Sequence, residues 1–313
     1  MTNHDLVDLE GEEGVGDEWE EIDVSDTEAD RVARKRDREF ADFRERLKDA
    51  DQFKVEGAVF DDATYAAIYK LVQDGHVTAL GGPISSGKEA TVFEAYGPDE
   101  SDVAIKIYRI STSDFRQMRE YLAGDPRFEG IGSDKKEVVI AWTRKEFANL
   151  ERARRAGVRV PEPIAVERNV LVMEMIGVEG DAASRLHDVH IENPETAFEA
   201  IREYMRRLFD AGLVHGDLSE YNVVVYDGEL CVIDLGQAVT VHHPNAREFL
   251  ERDCRNIASF FGRQGVDVDP ESLFDFVTRA DEEDAEDDDK IEVPRGERVG
   301  EDPAFREPPG TDP

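Results

Sequence analysis

Two aspartates and an asparagine with a distinctive spacing are the residues of this chain most suited to chemistry. Asp217 and Asn222 are separated by four residues, and Asp234 follows twelve residues after Asn222. A carboxylate on a tight loop can orient and deprotonate an attacking hydroxyl, and carboxylate and amide oxygens are hard ligands for a Mg²⁺ ion that bridges nucleotide phosphates. The spacing therefore predicts phosphoryl transfer, with Asp217 as the base and Asn222 and Asp234 as metal ligands.

The residues between Asn222 and Asp234 must position these ligands. Residues 223–226 and 229–233 are short β-prone runs, and Asp227-Gly228 between them is a turn sequence. A hairpin at this place would hold the two metal ligands rigidly together.

A loop and a strand lysine upstream could hold the nucleotide. Residues 85–93 follow the order of the protein-kinase loop G-x-G-x-x-G-x-V, although only its middle glycine, Gly87, is present. Residues 103–106 then alternate like a strand and deliver Lys106, which could neutralise the α- and β-phosphates. The candidate nucleotide-binding residues of the loop are Ser85, Ser86, Gly87, Lys88, Glu89 and Val92.

The carboxylate that orients Lys106 should come from a helix. Residues 145–151 have helical character and Gly157 is a suitable terminator, so the helix offers Glu146 and Glu151, of which we favour Glu146. We expect the Lys106–Glu146 ion pair to be partly exposed and to contribute about 1 kcal/mol or less to stability.

Each of these features alone has an ordinary structural explanation. His-Gly-Asp is commonly a turn, a strand lysine is commonly solvated, and a Gly-Lys pair is commonly part of a hairpin. The complete ordered set of loop, lysine, helix glutamate and three metal or base residues favours a phosphoryl-transfer site. We interpret Asp253 and Cys254, by contrast, as members of an ordinary helix.

The chain resembles the RIO atypical protein kinases, and within them the type-one branch. The resemblance rests on residues 85–90, 215–222 and 233–237, where Ile-Asp-Leu-Gly-Gln replaces the usual D-F-G, and it extends over about residues 55–265. It implies an α+β, two-lobed protein-kinase-like fold with a β-rich N-lobe. The implied C-lobe is a reduced helical one that lacks the activation loop and the Ala-Pro-Glu region.

The resemblance also implies roles for individual residues. Carried over by position, Lys106 would hold phosphate, the backbone of Glu174 and Ile176 would bind adenine, Asp217 would be the catalytic base, and Asn222 and Asp234 would bind metal. Asp234 could also accept the phosphoryl group as a transient aspartyl-phosphate. The implied cofactors are ATP and Mg²⁺, with Mn²⁺ as an alternative. Ser86 and Thr91 depart from the Thr and Asn common in the family, and neither departure removes a catalytic group.

The family acts on a large assembly, the maturing small ribosomal subunit. The resemblance therefore implies a serine/threonine protein kinase, an ATPase or both, with the pre-ribosomal small subunit and its proteins and RNA as partners. It also implies autophosphorylation. Two alternatives remain: a small-molecule phosphotransferase of the aminoglycoside-kinase type, disfavoured by the short segment after Asp234, and a non-catalytic ATP-binding scaffold.

The chain is expected to be a kinase-like body between acidic tails. We predict disordered acidic tails over 1–28 and 280–313, helices within 29–75, an N-lobe over 76–176 with a flexible loop at about 111–136, and a C-lobe over 177–279. Residues 1–30 contain 13 acids and no Lys or Arg, so they cannot bury enough apolar surface to offset ordering entropy. Hydrophobic periodicity predicts strands over 77–84, 90–96 and 103–110 and helices over 29–50, 61–73, 198–209, 246–261 and 270–279.

Charge and cysteine content indicate the cellular setting. The formal net charge is −35, and only 10 of the 38 basic residues are lysines, which favours a high-salt cytoplasm over acidic tails on a mesophilic enzyme. Cys231 and Cys254 make no disulfide framework, and neither a signal peptide nor an apolar run of about 18 residues is present, so we expect a cytoplasmic protein without membrane contact. The basic cluster of residues 31–38 could bind RNA phosphates or pair with glutamates on a solvated helix.

Overall fold

The computed structural model describes residues 60–110, 113–128, 130–132, 134–178 and 180–279. The predicted acidic tails, the predicted helix over 29–50 and the basic cluster of residues 31–38 lie outside these described residues.

A five-stranded antiparallel sheet forms the first lobe. Its strands are β1 (Ala79–Ser86), β2 (Ala90–Tyr96), β3 (Asp102–Tyr108), β4 (Pro163–Glu167) and β5 (Val170–Glu174), in the order β1-β2-β3-β5-β4. The central strand β3 is buried from Val103 to Tyr108. Its register places Lys106 opposite Val92 on one side and Leu171 on the other. The lysine is therefore held by hydrogen-bonded strands on both sides.

Three helices accompany this sheet in the described residues of the first lobe. They are α1 (Asp62–Gln73), α2 (Phe115–Leu122) and α3 (Lys135–Arg155). The predicted helix over 61–73 is confirmed as α1. Asp61 caps its first turn by accepting the Thr64 N–H at 2.7 Å. Gly157, the predicted terminator of the Glu146 helix, follows α3 with a left-handed φ of 75°.

The segment that we expected to be a loop at about 111–136 contains α2. This helix is capped by Asp114, which accepts the Gln117 N–H at 3.1 Å, and it buries Met118, Tyr121 and Leu122. The loop prediction missed it because the apolar positions are few and lie among charged residues. Only the period of three to four residues separates such a short amphipathic helix from a polar loop.

The second lobe is mainly helical. Its helices are α4 (Pro194–Asp210), α5 (Ala246–Arg263) and α6 (Pro270–Thr278), close to the predicted ranges. The buried stripe of α4 is Phe198, Ile201, Met205 and Leu208, and the helix is followed by Gly212 with φ 74°. Among the described residues, no helix combines the length and the apolar character needed to cross a membrane.

Short strands connect the helices of the second lobe. They are β6 (Gly177–Val178), β7 (Asp181–Ala182), β8 (Ser184–Arg185), β9 (Leu213–Val214), β10 (Val223–Tyr226), β11 (Glu229–Val232) and β12 (Val239–Thr240). β10 and β11 form the predicted hairpin, and Asp227 and Gly228 at its tip have φ values of 50° and 75°. Two consecutive positive φ values are what a tight two-residue hairpin turn requires, so the Asp-Gly sequence explains the turn.

Candidate active site

A cavity of about 240 Å³ lies between the sheet and the second lobe. Most of the predicted site residues line it, and these are Ser85, Val92, Lys106, Glu146, Glu174, Ile176, Asn222 and Asp234. The remaining predicted residues, Ser86, Gly87, Lys88, Glu89 and Asp217, lie outside this lining. The structure thus brings residues of strands, of helix α3 and of loops from both lobes to one cleft.

Lys106 is the centre of an ion-pair network in this cleft. Its Nζ lies 2.7 Å from Glu146 Oε1 on α3 and 2.9 Å from Asp234 Oδ1 of the second lobe. The favoured candidate Glu146 is thus the one that contacts Lys106, whereas Glu151 pairs with Arg155 at 3.2 Å. One ammonium therefore connects the sheet, the helix and the second lobe.

The charges of this network shift one another's pKa values. Burial acts to lower the pKa of Lys106, but Asp234 and Glu146 hold that pKa well above its ordinary value. Burial raises the pKa of Glu146 despite the attraction of Lys106. Burial also opposes ionisation of Asp234, yet Lys106 keeps the pKa of Asp234 below its usual range. Half of the Asp234 side chain is exposed to the cleft, so solvent screens this last attraction and its energy is small.

The expected partial exposure of the Lys106–Glu146 pair is wrong. The side chains of Lys106 and Glu146 are 8% and 1% exposed. Glu146 also accepts a hydrogen bond from the Tyr108 hydroxyl at 2.5 Å, and Tyr108 lies two residues beyond Lys106 on the same strand. Because side chains two apart on a strand share a face, the spacing of Lys106 and Tyr108 could have indicated this second donor. Removing one member of a buried pair costs far more than removing one member of an exposed pair.

The loop between β1 and β2 is a tight turn fixed by Arg109. The Gly87 N–H donates to the Ala90 carbonyl at 2.9 Å, and Arg109 Nη2 donates to Ser86 Oγ at 2.8 Å and to Thr91 Oγ1 at 2.7 Å. Glu89, in the same turn, has a raised pKa, first because it is partly buried and second because of the nearby charge of Asp234. Ser85 and Val92, which flank this turn, line the cavity together with Asp234.

Asp217 is held in place by two amide side chains. Asn222 Nδ2 donates to the Asp217 carbonyl at 2.8 Å and approaches Asp217 Oδ2 at 3.4 Å, while Gln237 Nε2 donates to the same Oδ2 at 3.2 Å. Partial burial, and next the charge of Asp234, raises the pKa of Asp217. A raised pKa improves a carboxylate as a proton acceptor. Gln237 was not among the predicted residues, although it belongs to the segment 233–237 that carries the family resemblance.

As a neutral imidazole, His215 supports the loop that carries Asp217. Its Nε2 lies 3.2 Å from the Ile233 carbonyl, and its Nδ1 accepts the Asp217 N–H at 3.3 Å. Both contacts fit the tautomer with the proton on Nε2. Burial lowers the pKa of His215 to about 4, so the ring stays neutral at physiological pH.

Asp253 on α5 anchors the same loop, a role that our interpretation as an ordinary helix residue did not include. Its carboxylate accepts the Gly216 N–H at 2.7 Å and the Leu218 N–H at 2.9 Å. It is 1% exposed, and burial raises its pKa to about 7. The pattern of α5 contained the clue, because Asp253 occupies a core position between Leu250 and Ile257 at helical spacing.

The β10–β11 hairpin fixes the distance between the two candidate metal ligands. The Ile233 N–H donates to the Asn222 carbonyl at 2.9 Å at the base of the hairpin. With Nδ2 of Asn222 bound to Asp217 and one oxygen of Asp234 bound to Lys106, an oxygen of each side chain is left to line the cavity. Hard oxygen ligands of this kind, completed by phosphates and water, suit Mg²⁺. The residues present therefore fit a magnesium ion.

The end of the cleft that we predicted to bind adenine lies where β5 leaves the sheet. The Glu174 side chain points to Arg159, which donates to its two oxygens at 2.6 and 2.8 Å, and the Glu174 N–H donates to the Glu162 carbonyl at 2.8 Å. The Ile176 carbonyl accepts the Ala183 N–H at 2.8 Å. The backbone of this segment is thus held rigidly at the edge of the cavity.

Comparison with known proteins identifies the family. A family model described as the RIO domain matches residues 91–273. The chain is 71% identical over 283 residues to the RIO-type serine/threonine-protein kinase Rio1 of Haloferax volcanii, which covers 90% of this chain and 98% of that protein. It is 40% identical over 229 residues to the protein of the same description from Methanocaldococcus jannaschii, with 73% of this chain and 78% of that one covered.

A solved structure shows the same fold. The Rio2 kinase of Chaetomium thermophilum, in an ADP/Mg²⁺-phosphoaspartate complex, covers 70% of this chain and 67% of its own with a TM-score of 0.55 and 24% identity. The sheet, the helical second lobe and the direct passage from Gly236 through β12 into α5 therefore define a protein-kinase-like α+β fold, as predicted. The chain belongs to the RIO family of atypical serine/threonine-protein kinases, in the Rio1 branch of halophilic archaea.

Proposed function

We propose that the protein transfers the γ-phosphoryl group of ATP to a serine or threonine hydroxyl. The observation that carries this proposal is the single cleft in which Lys106 contacts both Glu146 and Asp234. Family membership supports it, because the two relatives described above are named as serine/threonine-protein kinases.

Each residue of the cleft has its own role in the proposed reaction. Asp217 accepts the proton of the attacking hydroxyl as the new oxygen–phosphorus bond forms and the bond to the ADP oxygen breaks. Asn222 and Gln237 keep the Asp217 carboxylate in place, and Lys106, oriented by Glu146, neutralises charge on the α- and β-phosphates. Asn222 and Asp234 would hold Mg²⁺, which supplies further neutralisation of phosphate charge when bound.

A second route ends in hydrolysis. In it, an oxygen of Asp234 attacks the γ-phosphorus, ADP leaves, and water then cleaves the aspartyl-phosphate to release inorganic phosphate. The half-exposed Asp234 side chain supports this proposal, since it faces the cleft. A phosphoaspartate in the solved complex of the Chaetomium thermophilum Rio2 kinase also supports it.

We further propose a cytoplasmic role in maturation of the small ribosomal subunit, with autophosphorylation as a side reaction. These proposals rest on the family resemblance. The proposed division into an N-lobe over 76–176 and a C-lobe over 177–279 rests on the cleft, whose wall changes from the sheet to the second lobe near Ile176.

One experiment separates these activities. The purified protein is incubated in about molar KCl, as its charge requires, with ATP carrying a labelled γ-phosphate. The label is followed into protein, free phosphate and added candidate substrates, with Asp217→Asn and Asp234→Asn as comparison variants. Label in serine or threonine supports kinase activity, and acid-labile, hydroxylamine-sensitive label that depends on Asp234 supports the aspartyl-phosphate route. Binding of ATP without any movement of label would refute both.

A further inference from the structure

Side chains on one face of α3 donate hydrogen bonds to the turn that follows Asp234. Lys145 Nζ donates to the Gly236 carbonyl at 2.8 Å. Asn149, one helical turn further along, donates through Nδ2 to the carbonyls of Leu235 at 3.1 Å and Ala238 at 2.9 Å. Two side chains next to Glu146 on the same helix therefore fix three carbonyls of the segment that carries Asp234.

The turn that accepts these hydrogen bonds has an unusual backbone. Asp234 has a left-handed φ of 63°, which is uncommon for a residue other than glycine and persists only where the surrounding structure enforces it. Gly236 is pressed against α3 and β3, since a Cβ at this position would lie 2.9 Å from Tyr108 Oη and 3.2 Å from Trp142 Nε1. The orientation of Asp234 thus depends on contacts made by its neighbours in the turn.

The Asn149 amide is itself held in one orientation. Its Oδ1 accepts a hydrogen bond from Arg127 Nη2 at 3.1 Å. Arg127 is paired with the buried carboxylate of Asp125 at 2.7 Å. With its oxygen committed to Arg127, the amide must present its NH₂ group to the turn.

Lys145 is poorly explained by stability alone. Its side chain is fully buried, and Nζ lies 4.8 Å from the Trp142 ring centroid and 5.9 Å from that of Tyr121. Within the described residues no carboxylate lies at ion-pair distance from Nζ, and burial lowers the pKa of Lys145 to about 7 although the charges of Asp125 and Glu146 act to raise it. Burying an ammonium without an ionic partner costs free energy. The hydrogen bond from Lys145 to the Gly236 carbonyl is therefore the polar contact through which this buried side chain can act.

We propose that Lys145 and Asn149 are positioning residues that hold Asp234 in the geometry needed to bind Mg²⁺. This inference rests on the proposed function, in which Asp234 is a magnesium ligand. Lys145 touches neither the nucleotide cleft nor Asp234 itself, and it acts through the Gly236 carbonyl. Second-layer contacts of this kind set the orientation of metal-binding carboxylates.

The test measures nucleotide affinity rather than activity. ADP is titrated into the full-length protein by calorimetry, with excess Mg²⁺ and with EDTA, and the ratio of the two affinities gives the magnesium dependence. Lys145→Met keeps the length and apolar contacts of the side chain but removes the donor. We expect the magnesium dependence to fall roughly 10- to 100-fold, as for loss of other second-layer contacts. The affinity in EDTA should stay close to that of the wild type, because Lys145 is outside the cleft.

Thr143→Val is the matched control. Thr143 is also fully buried on α3, but its hydroxyl donates to the Val139 carbonyl at 2.8 Å and does not touch the turn. Asn149→Ala should reproduce the effect of Lys145→Met, whereas Thr143→Val should keep the wild-type magnesium dependence.

The possible results separate this inference from the proposed function. If Asp234→Asn loses the magnesium dependence while Lys145→Met and Asn149→Ala retain it, the positioning role is wrong and the metal site stands. If the wild type has no magnesium dependence, the proposed metal site fails first. A Lys145→Met protein that does not fold also overturns the inference, because it would show that the ammonium serves the stability of the fold.

Discussion

Replacing Lys106 by methionine should destabilise the protein much more than an exposed ion pair would suggest. The change leaves Glu146, which is 1% exposed, with the hydrogen bond from the Tyr108 hydroxyl but without its ionic partner on β3. Breaking a buried ion pair from one side costs about 3–5 kcal/mol when the remaining charge persists. The carboxyl can avoid part of this cost by taking up a proton.

Proton uptake sets the size of the effect and its pH dependence. Protonating a glutamate of ordinary pKa at pH 7 costs about 3.5 kcal/mol, which limits the cost of leaving Glu146 without its partner. The loss of stability in Lys106→Met should therefore be about 3 kcal/mol. The pKa of Glu146 is already raised by burial, and loss of Lys106 raises it further. The folded variant then binds a proton that the unfolded chain releases above its ordinary pKa of about 4.3. Stability of the variant should therefore fall as pH rises, by up to about 1.4 kcal/mol per pH unit.

Urea unfolding in about molar KCl at pH 5 and pH 7 measures both quantities. The double variant Lys106→Met/Glu146→Gln removes the charge that is left behind, so it should recover most of the lost stability and lose the added pH dependence. Lys70→Met is the control, since Lys70 pairs with Asp74 at 2.6 Å on the surface and should leave the unfolding midpoint nearly unchanged. A Lys106→Met protein within about 1 kcal/mol of the wild type at pH 7 would refute the burial argument.

Three further predictions concern single carboxylates and the buried lysine. Asp217→Asn should bind ATP with near wild-type affinity but turn it over roughly 10²- to 10⁴-fold more slowly, as measured by binding and single-turnover assays; normal turnover would exclude Asp217 as the base. Lys145 has a pKa lowered to about 7, so the unfolded chain holds its proton more tightly and wild-type stability should rise with pH above about 7, by up to about 1.4 kcal/mol per pH unit, relative to Lys145→Met. Equal slopes for the two proteins would show that Lys145 is not titrating there. Asp253→Ala leaves two buried N–H groups without acceptors and should cost about 2–4 kcal/mol of stability, with kcat reduced more than ATP affinity; a melting temperature equal to the wild type would contradict the anchoring role.

The sequence predicted those parts of the fold that short-range rules determine. The hairpin at Asp227-Gly228 follows from the turn preference of that dipeptide, and the helix around Glu146 follows from its terminator Gly157. The helix α2 was missed because its apolar residues lie among charged ones, so its local pattern is weak, and burial of Met118, Tyr121 and Leu122 contributes to its stability.

The residues of the candidate site also divide into those that short-range rules predict and those that depend on packing between distant segments. Residues that face a ligand, such as Asp217 and Lys106, belong to recognisable local patterns, whereas their supports come from distant segments. Asp253 binds the loop across 35 and 37 residues of chain, and Lys145 reaches Gly236 across 91. Local spacing marks Asp253 as a core position of α5, but it does not identify the distant backbone groups that Asp253 and Lys145 bind. The burial of the Lys106–Glu146 pair was misjudged for the same reason, because it depends on how α3 packs on the sheet.

The hydrogen bonds between α3 and the turn after Asp234 have a consequence for inhibitors. A compound that occupies the space behind this turn must first pull the turn off the helix, and three hydrogen bonds to Lys145 and Asn149 oppose that movement. At about 1 kcal/mol or more for each broken bond, such a compound loses about two orders of magnitude or more in affinity before it gains any contact. Selective inhibitors of this enzyme are therefore better sought among molecules that fill the cleft with the turn in place.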